Sequence, residues 1–160
     1  MELYVMRHGP AEDDADSDDL RELTSKGRDR VRSVARELLR LKEVPRLILT
    51  SPLVRAEQTA GIVATETSPA DGIEVRAELA MGERAMDLAK ELISSGKSHV
   101  MLVGHQPDLS NLVHGLTRAS VDMEKAMVVG ITVPKKGHPL LRFVLHPKTL
   151  VFAPAPSGSK

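Results

Sequence analysis

Four side chains stand just beyond apolar runs: Arg7 and His8 after Leu3-Tyr4-Val5-Met6, Arg55 shortly after Leu47-Ile48-Leu49-Thr50, and His105 after Val100-Met101-Leu102-Val103-Gly104. Two guanidiniums offer planar forks of N–H donors suited to phosphate oxygens. Two imidazoles supply a nucleophile and a further donor. In-line phosphoryl transfer to nitrogen asks for this set, because it needs positive charge around spreading negative charge and a ring nitrogen with a free lone pair. Arg55 follows a strand and lies at the start of a helix, where anions are favoured.

Those residues need a scaffold that brings strand ends together. Leu3–Met6, Leu47–Thr50 and His99–Gly104 are continuous apolar runs closed by Gly or Pro, the pattern of strands buried on both faces of a parallel sheet. In such sheets ligands bind outside the carboxyl ends of the strands. Between the runs lie helical stripes. Thr24 is placed as N-cap to a helix with Val31, Val34, Ala35, Leu38 and Leu39 on one face. Ser51-Pro52 is a predicted helix start, serine as N-cap and proline at the first helical position, ahead of Ala56, Thr59, Ala60 and Val63. Ile73–Val75 is a short predicted strand; Ala85, Leu88, Ala89, Leu92 and Ile93 form a helix ended by Gly96; Leu109, Leu112, Val113 and Leu116 form another. From Ala126 the period changes, and Met127–Val133 and Leu140–Leu145 flank a Pro/Gly/Lys turn as a hairpin. The expected fold is α/β, a three-layer α/β/α sandwich with a mostly parallel central sheet and an antiparallel hairpin near the C-terminus. Residues 1–153 are expected to form one domain, and 154–160 a disordered tail.

Composition narrows the function classes. Lys plus Arg equals Asp plus Glu at 22 each, so no global charge points to nucleic acid or to an anionic membrane surface. Cysteine is absent, which removes disulfides and thiol chemistry and fits a reducing compartment. No leader-like or membrane-spanning stretch is evident, and a soluble, cytoplasmic monomer is expected. The acidic run Glu12–Asp19 reads as a solvated loop. His99, His114, His138 and His146 show no metal-ligand spacing, so neither metal nor cofactor is expected.

Four segments carry a resemblance. Leu3-Tyr4-Val5-Met6-Arg7-His8-Gly9-Pro10-Ala11-Glu12, Asp19–Gly27, Ser51-Pro52-Leu53-Val54-Arg55-Ala56-Glu57-Gln58-Thr59-Ala60 and Val103-Gly104-His105-Gln106-Pro107-Asp108-Leu109-Ser110 occur in order along nearly the whole chain. Together they resemble the histidine phosphatase (phosphoglycerate mutase-like) superfamily, and most closely its small SixA-type phosphohistidine phosphatases. The resemblance implies that His8 is the nucleophile that becomes phosphorylated, while Arg7, Arg55, His105 and Gln106 bind the phosphoryl group. One nitrogen of His8 must then be unprotonated, with its other N–H held by a backbone carbonyl or a carboxylate. His105 is expected to serve as a cation beside the bound phosphate. Larger relatives carry a carboxylic general acid on an inserted segment that this chain lacks; Glu83 is the first candidate for that role, ahead of Glu78 and Asp18. The implied substrate is a phosphohistidine-bearing protein such as a phosphotransfer domain. Alternatives are a phosphatase of a small phosphorylated metabolite or nucleotide, and a non-catalytic phosphohistidine-binding module.

Overall fold

A computed structural model of the chain describes residues 1–154. Seven strands form one sheet: β1 (Glu2–Arg7), β2 (Leu47–Thr50), β3 (Ile73–Val75), β4 (Val100–Gly104), β5 (Val128–Thr132), β6 (Leu140–Leu145) and β7 (Phe152–Pro154), in the order β3-β2-β4-β1-β5-β6-β7. The β3, β2, β4 and β1 neighbours pair in parallel, and β1, β5, β6 and β7 pair antiparallel. The sheet is therefore mixed, and its antiparallel part exceeds the expected hairpin by one edge strand. Pro154, expected to open a disordered tail, ends that strand; the rest of the expected tail, 155–160, lies outside the described residues.

Among the described residues four α-helices complete the layers: α1 (Ser25–Arg40), α2 (Val54–Thr67), α3 (Ala85–Ser95) and α4 (Asp108–Thr117). Successive side chains of a strand point to opposite faces, and the core divides accordingly. Leu3, Val5, Leu49 and Leu102 pack on one face with Leu88, Leu92, Leu109 and Leu112 of α3 and α4. Tyr4, Met6, Ile48 and Met101 pack on the other with Val31, Val34, Ala56 and Val63 of α1 and α2. This is the three-layer α/β/α sandwich.

Local chemistry sets the element ends. Thr24 caps α1 through its Oγ1, which accepts from the Gly27 N–H at 2.8 Å, a bond worth about 1 kcal/mol. Of the predicted stripe on α1, Leu39 lies outside the core and is 49% exposed. Gly27 lets α1 approach the chain leaving β1, since a Cβ there would stand 2.0 Å from the Pro10 carbonyl oxygen. The start predicted for α2 is corrected. The helix begins at Val54 with Leu53 as N-cap, while the Ser51 hydroxyl accepts from the Leu53 N–H at 3.2 Å in a turn ahead of it.

Candidate active site

Parallel register aligns the chemistry-bearing ends. Arg7 pairs with Gly104 and Thr50 with Val103, so His8, His105 and Ser51 each follow immediately on neighbouring strands. The His8 N–H donates to the Gly104 carbonyl at 3.1 Å, and the two imidazole centroids lie 5.2 Å apart.

His8 is 5% exposed, and its Nδ1 is 2.7 Å from the Gly9 carbonyl oxygen. A carbonyl only accepts, so Nδ1 carries the hydrogen and Nε2 holds a free lone pair. Burial first, then the nearby His105, Arg55 and Arg7, pushes the His8 pKa down to about 3 against the pull of that hydrogen bond. Near pH 7 the ring is neutral, as attack requires.

Arg7 donates from one terminal nitrogen to the Met123 carbonyl at 3.0 Å, and burial lowers its pKa. Arg55, in the first turn of α2, is 3% exposed. Asp18 holds the end of its fork: one terminal nitrogen donates to the Asp18 carbonyl at 2.8 Å, the other to the Asp18 carboxylate at 3.1 Å. Thr59 links the two elements, its hydroxyl accepting from the Gly9 N–H at 3.1 Å and donating to the Arg55 carbonyl at 2.7 Å. His105 is 1% exposed, with Nε2 2.7 Å from Ser51 Oγ. Burial, and after it Arg55, lowers its pKa to about 4. His105 is thus neutral near pH 7 in this arrangement, where a cation was expected.

Among the described residues four buried side-chain nitrogens lack any hydrogen-bond partner: Arg7 Nε, Arg21 Nε, Arg55 Nε and His105 Nδ1. Buried polar groups are nearly always paired, and an exception calls for an explanation. Three of the four belong to the residues singled out as anion ligands.

The other candidates fare differently. The Gln106 amide is engaged at both ends by Ser110, its Nε2 donating to Ser110 Oγ at 2.7 Å and its Oε1 accepting the Ser110 N–H at 3.0 Å. One hydrogen of that Nε2 is left over for a further acceptor. Glu83 is exposed and lines a shallow cleft with Met86, Asp108 and Asn111. Glu78 is paired with Arg76 at 2.9 Å, and that hydrogen bond lowers its pKa. Asp18, ranked below Glu83 from the sequence, is the candidate carboxylate in direct contact with a pocket residue. Ser51 and Thr59 were read as a helix cap and part of a buried stripe; their placement straight after β2 and one turn beyond Arg55 was the available signal. Among the described residues no group of three or more metal-ligating side chains occurs, and no helix is long and apolar enough to cross a membrane.

The two histidines give a pH prediction. Each titrates near 6.5 unperturbed and near 3 (His8) or 4 (His105) in the folded protein. A depressed folded pKa means that the unfolded chain binds more protons below 6.5, so stability is full above that value and falls as pH drops toward 4. The loss is expected to be on the order of 3 kcal/mol for each ring. Denaturant titrations at about pH 7 and pH 4.5 measure it, and His105→Gln should show a shallower decline than wild type. An equal decline in the variant would contradict these shifts.

Residues 3–80 match the sequence model of the histidine phosphatase superfamily (branch 1). The phosphohistidine phosphatase SixA of Escherichia coli is 30% identical over 160 residues, spanning 97% of this chain and 99% of that one. An uncharacterized protein of Picosynechococcus is 37% identical over 142 residues, spanning 82% of this chain and 84% of its own. The solved structure of the protein histidine phosphatase SixA complexed with tungstate superposes with a TM-score of 0.87 at 28% identity, covering 94% of this chain and all of that one. The chain belongs to the histidine phosphatase superfamily and is a hydrolytic phosphatase. Within that superfamily it is of the SixA type.

Proposed function

We propose that the protein removes phosphate from phosphohistidine on a protein through a covalent intermediate on His8. The observation that carries this reading is the Nε2 lone pair of His8, left free because Gly9 holds Nδ1–H, with the His105 ring centroid 5.2 Å away and with buried, unpartnered nitrogens on Arg7, Arg55 and His105. Similarity to phosphohistidine phosphatases supports it. The His8 Nε2 lone pair attacks phosphorus, the P–N bond of the substrate breaks, and its electron pair goes to the departing imidazole. Water then attacks the phosphoryl group on His8, releasing inorganic phosphate and restoring the free ring. The guanidiniums and the His105 N–H offset the charge that develops on the equatorial oxygens. A pure binding module would have no use for the free lone pair. The site is built within one chain, which fits a monomer, and the cysteine-free composition fits a cytoplasmic location.

Arg55→Lys tests the clamp. One edge of the guanidinium lies on Asp18 and the Nε edge is left for the phosphoryl group; an ammonium cannot serve both. Transition-state stabilisation should fall by roughly 2–4 kcal/mol, about 30- to 1,000-fold in kcat/KM. A near-wild-type rate would remove Arg55 from the site.

The function itself is tested by offering phosphohistidine protein beside a panel of phosphate monoesters and following phosphate release. Turnover of the phosphohistidine protein is expected. Activity confined to small monoesters would favour the metabolite phosphatase instead.

A further inference from the structure

We propose that Ser51 is a positioning residue that fixes the ring tautomer of His105, so that His105 meets a phosphoryl oxygen as a neutral Nδ1–H donor. The kinetic consequence rests on the phosphatase reading above; the tautomer does not.

Ser51 is fully buried, and its hydroxyl oxygen has two neighbours in hydrogen-bond range, the Leu53 N–H at 3.2 Å and His105 Nε2 at 2.7 Å. The Leu53 amide can only donate, so it fills one lone pair of Oγ. The single hydroxyl hydrogen then decides the matter. If it points to Nε2, the neutral ring carries its hydrogen on Nδ1, and one group, that N–H, is left without a partner. If instead Nε2–H donates to Oγ, the serine hydrogen is buried with no acceptor and Nδ1 becomes a bare lone pair with no donor. The second arrangement leaves two buried groups unsatisfied, at a cost the first avoids. It would also turn a lone pair, rather than a hydrogen, toward an incoming oxyanion. A doubly protonated ring meets burial and the Arg55 and Arg7 charges, which hold the His105 pKa low.

The two imidazoles then share one tautomer and play opposite parts. Gly9 occupies Nδ1–H of His8, leaving a lone pair to attack; Ser51 occupies Nε2 of His105, leaving an N–H to donate. What holds the far nitrogen of each ring sets what the near one offers.

Long-range ¹H–¹⁵N correlation spectra of the labelled full chain near pH 7 read tautomers directly, with His105→Gln identifying the His105 signals. The expected pattern for His105 is neutral, with Nδ1 protonated and Nε2 bare. In Ser51→Ala the ring should shift toward the Nε2–H form, and kcat/KM on a phosphohistidine substrate should fall by about 10- to 100-fold, the usual scale for losing an orienting partner. Ser51→Thr, which keeps the hydroxyl, should restore both. A wild-type spectrum showing Nε2–H or a doubly protonated ring would overturn the proposal, even if no variant folded. So would an Ser51→Ala protein with unchanged tautomer and rate. The Nδ1–H signature in a protein without phosphatase activity would support the tautomer and overturn the functional reading.

Discussion

Replacing His8 with alanine is expected to leave the fold standing and to stop turnover. The ring sits just after the carboxyl end of β1, where it is 5% exposed and makes one hydrogen bond, to Gly9. Its loss removes that bond, on the order of 1 kcal/mol net. It also removes a group with a depressed pKa, so the variant should lose less stability than wild type as pH falls below 6.5. Turnover is another matter, because the proposed nucleophile is the Nε2 lone pair of His8, which alanine removes. A drop of roughly 10⁴- to 10⁶-fold in kcat is the scale for deleting a nucleophile from a cooperating set. Circular dichroism melts alongside phosphate-release assays separate the two effects. Substantial activity in a folded His8→Ala protein would remove His8 from the chemistry.

A second large effect is expected in the choice of bond. An alkyl phosphate expels an alkoxide, which gains about 10²- to 10⁴-fold from a positioned proton donor. Phosphohistidine expels an imidazole, a far better leaving group that can depart neutral when its other nitrogen already carries a proton. None of the carboxylates weighed for the acid role is both buried and unpaired. Glu83 is exposed in its loop, Glu78 is paired with Arg76, and Asp18 is paired with Arg55 and Arg21. A site without a dedicated acid should therefore prefer P–N over alkyl P–O bonds by a factor approaching the same 10²–10⁴. The measurement is kcat/KM on phosphohistidine protein or phosphoramidate against a simple alkyl phosphate, for wild type, Glu83→Gln and Asp18→Asn. Similar wild-type rates on both substrates, with a selective collapse of the alkyl phosphate rate in one variant, would identify that residue as a general acid and favour a metabolite substrate.

The strands that position the site were legible because each is a run of apolar residues with sharp punctuation, and burial on both faces leaves little else for Leu3–Met6 or Val100–Gly104 to be. Thr24 announces a helix start through a hydroxyl that bonds locally, and Gly96 a helix end through the left-handed backbone, φ 74°, that a residue without a Cβ adopts freely. Phe152–Pro154 gave no such signal: three residues ending in proline carry no period, and only pairing with β6 makes them a strand. Ser51 was legible as a residue that satisfies a backbone N–H, which it does for Leu53, but its second partner, His105, is 54 positions away and is set by sheet register. Asp18 stands out of the run of near-identical acids only as a lesser candidate for the acid role, and nothing in the sequence announces its bond to Arg55. Gln106 stands beside His105 in sequence, yet its amide turns to Ser110 one helical turn on.

Rapid quench of wild-type protein with isotopically labelled phosphohistidine substrate tests the central claim most directly. Because Gly9 holds Nδ1 of His8, label should be trapped on His8, attached at Nε2, as an adduct labile to acid and stable to alkali. Label recovered on a serine, on a carboxylate or on a histidine Nδ1 of the enzyme itself would contradict the mechanism.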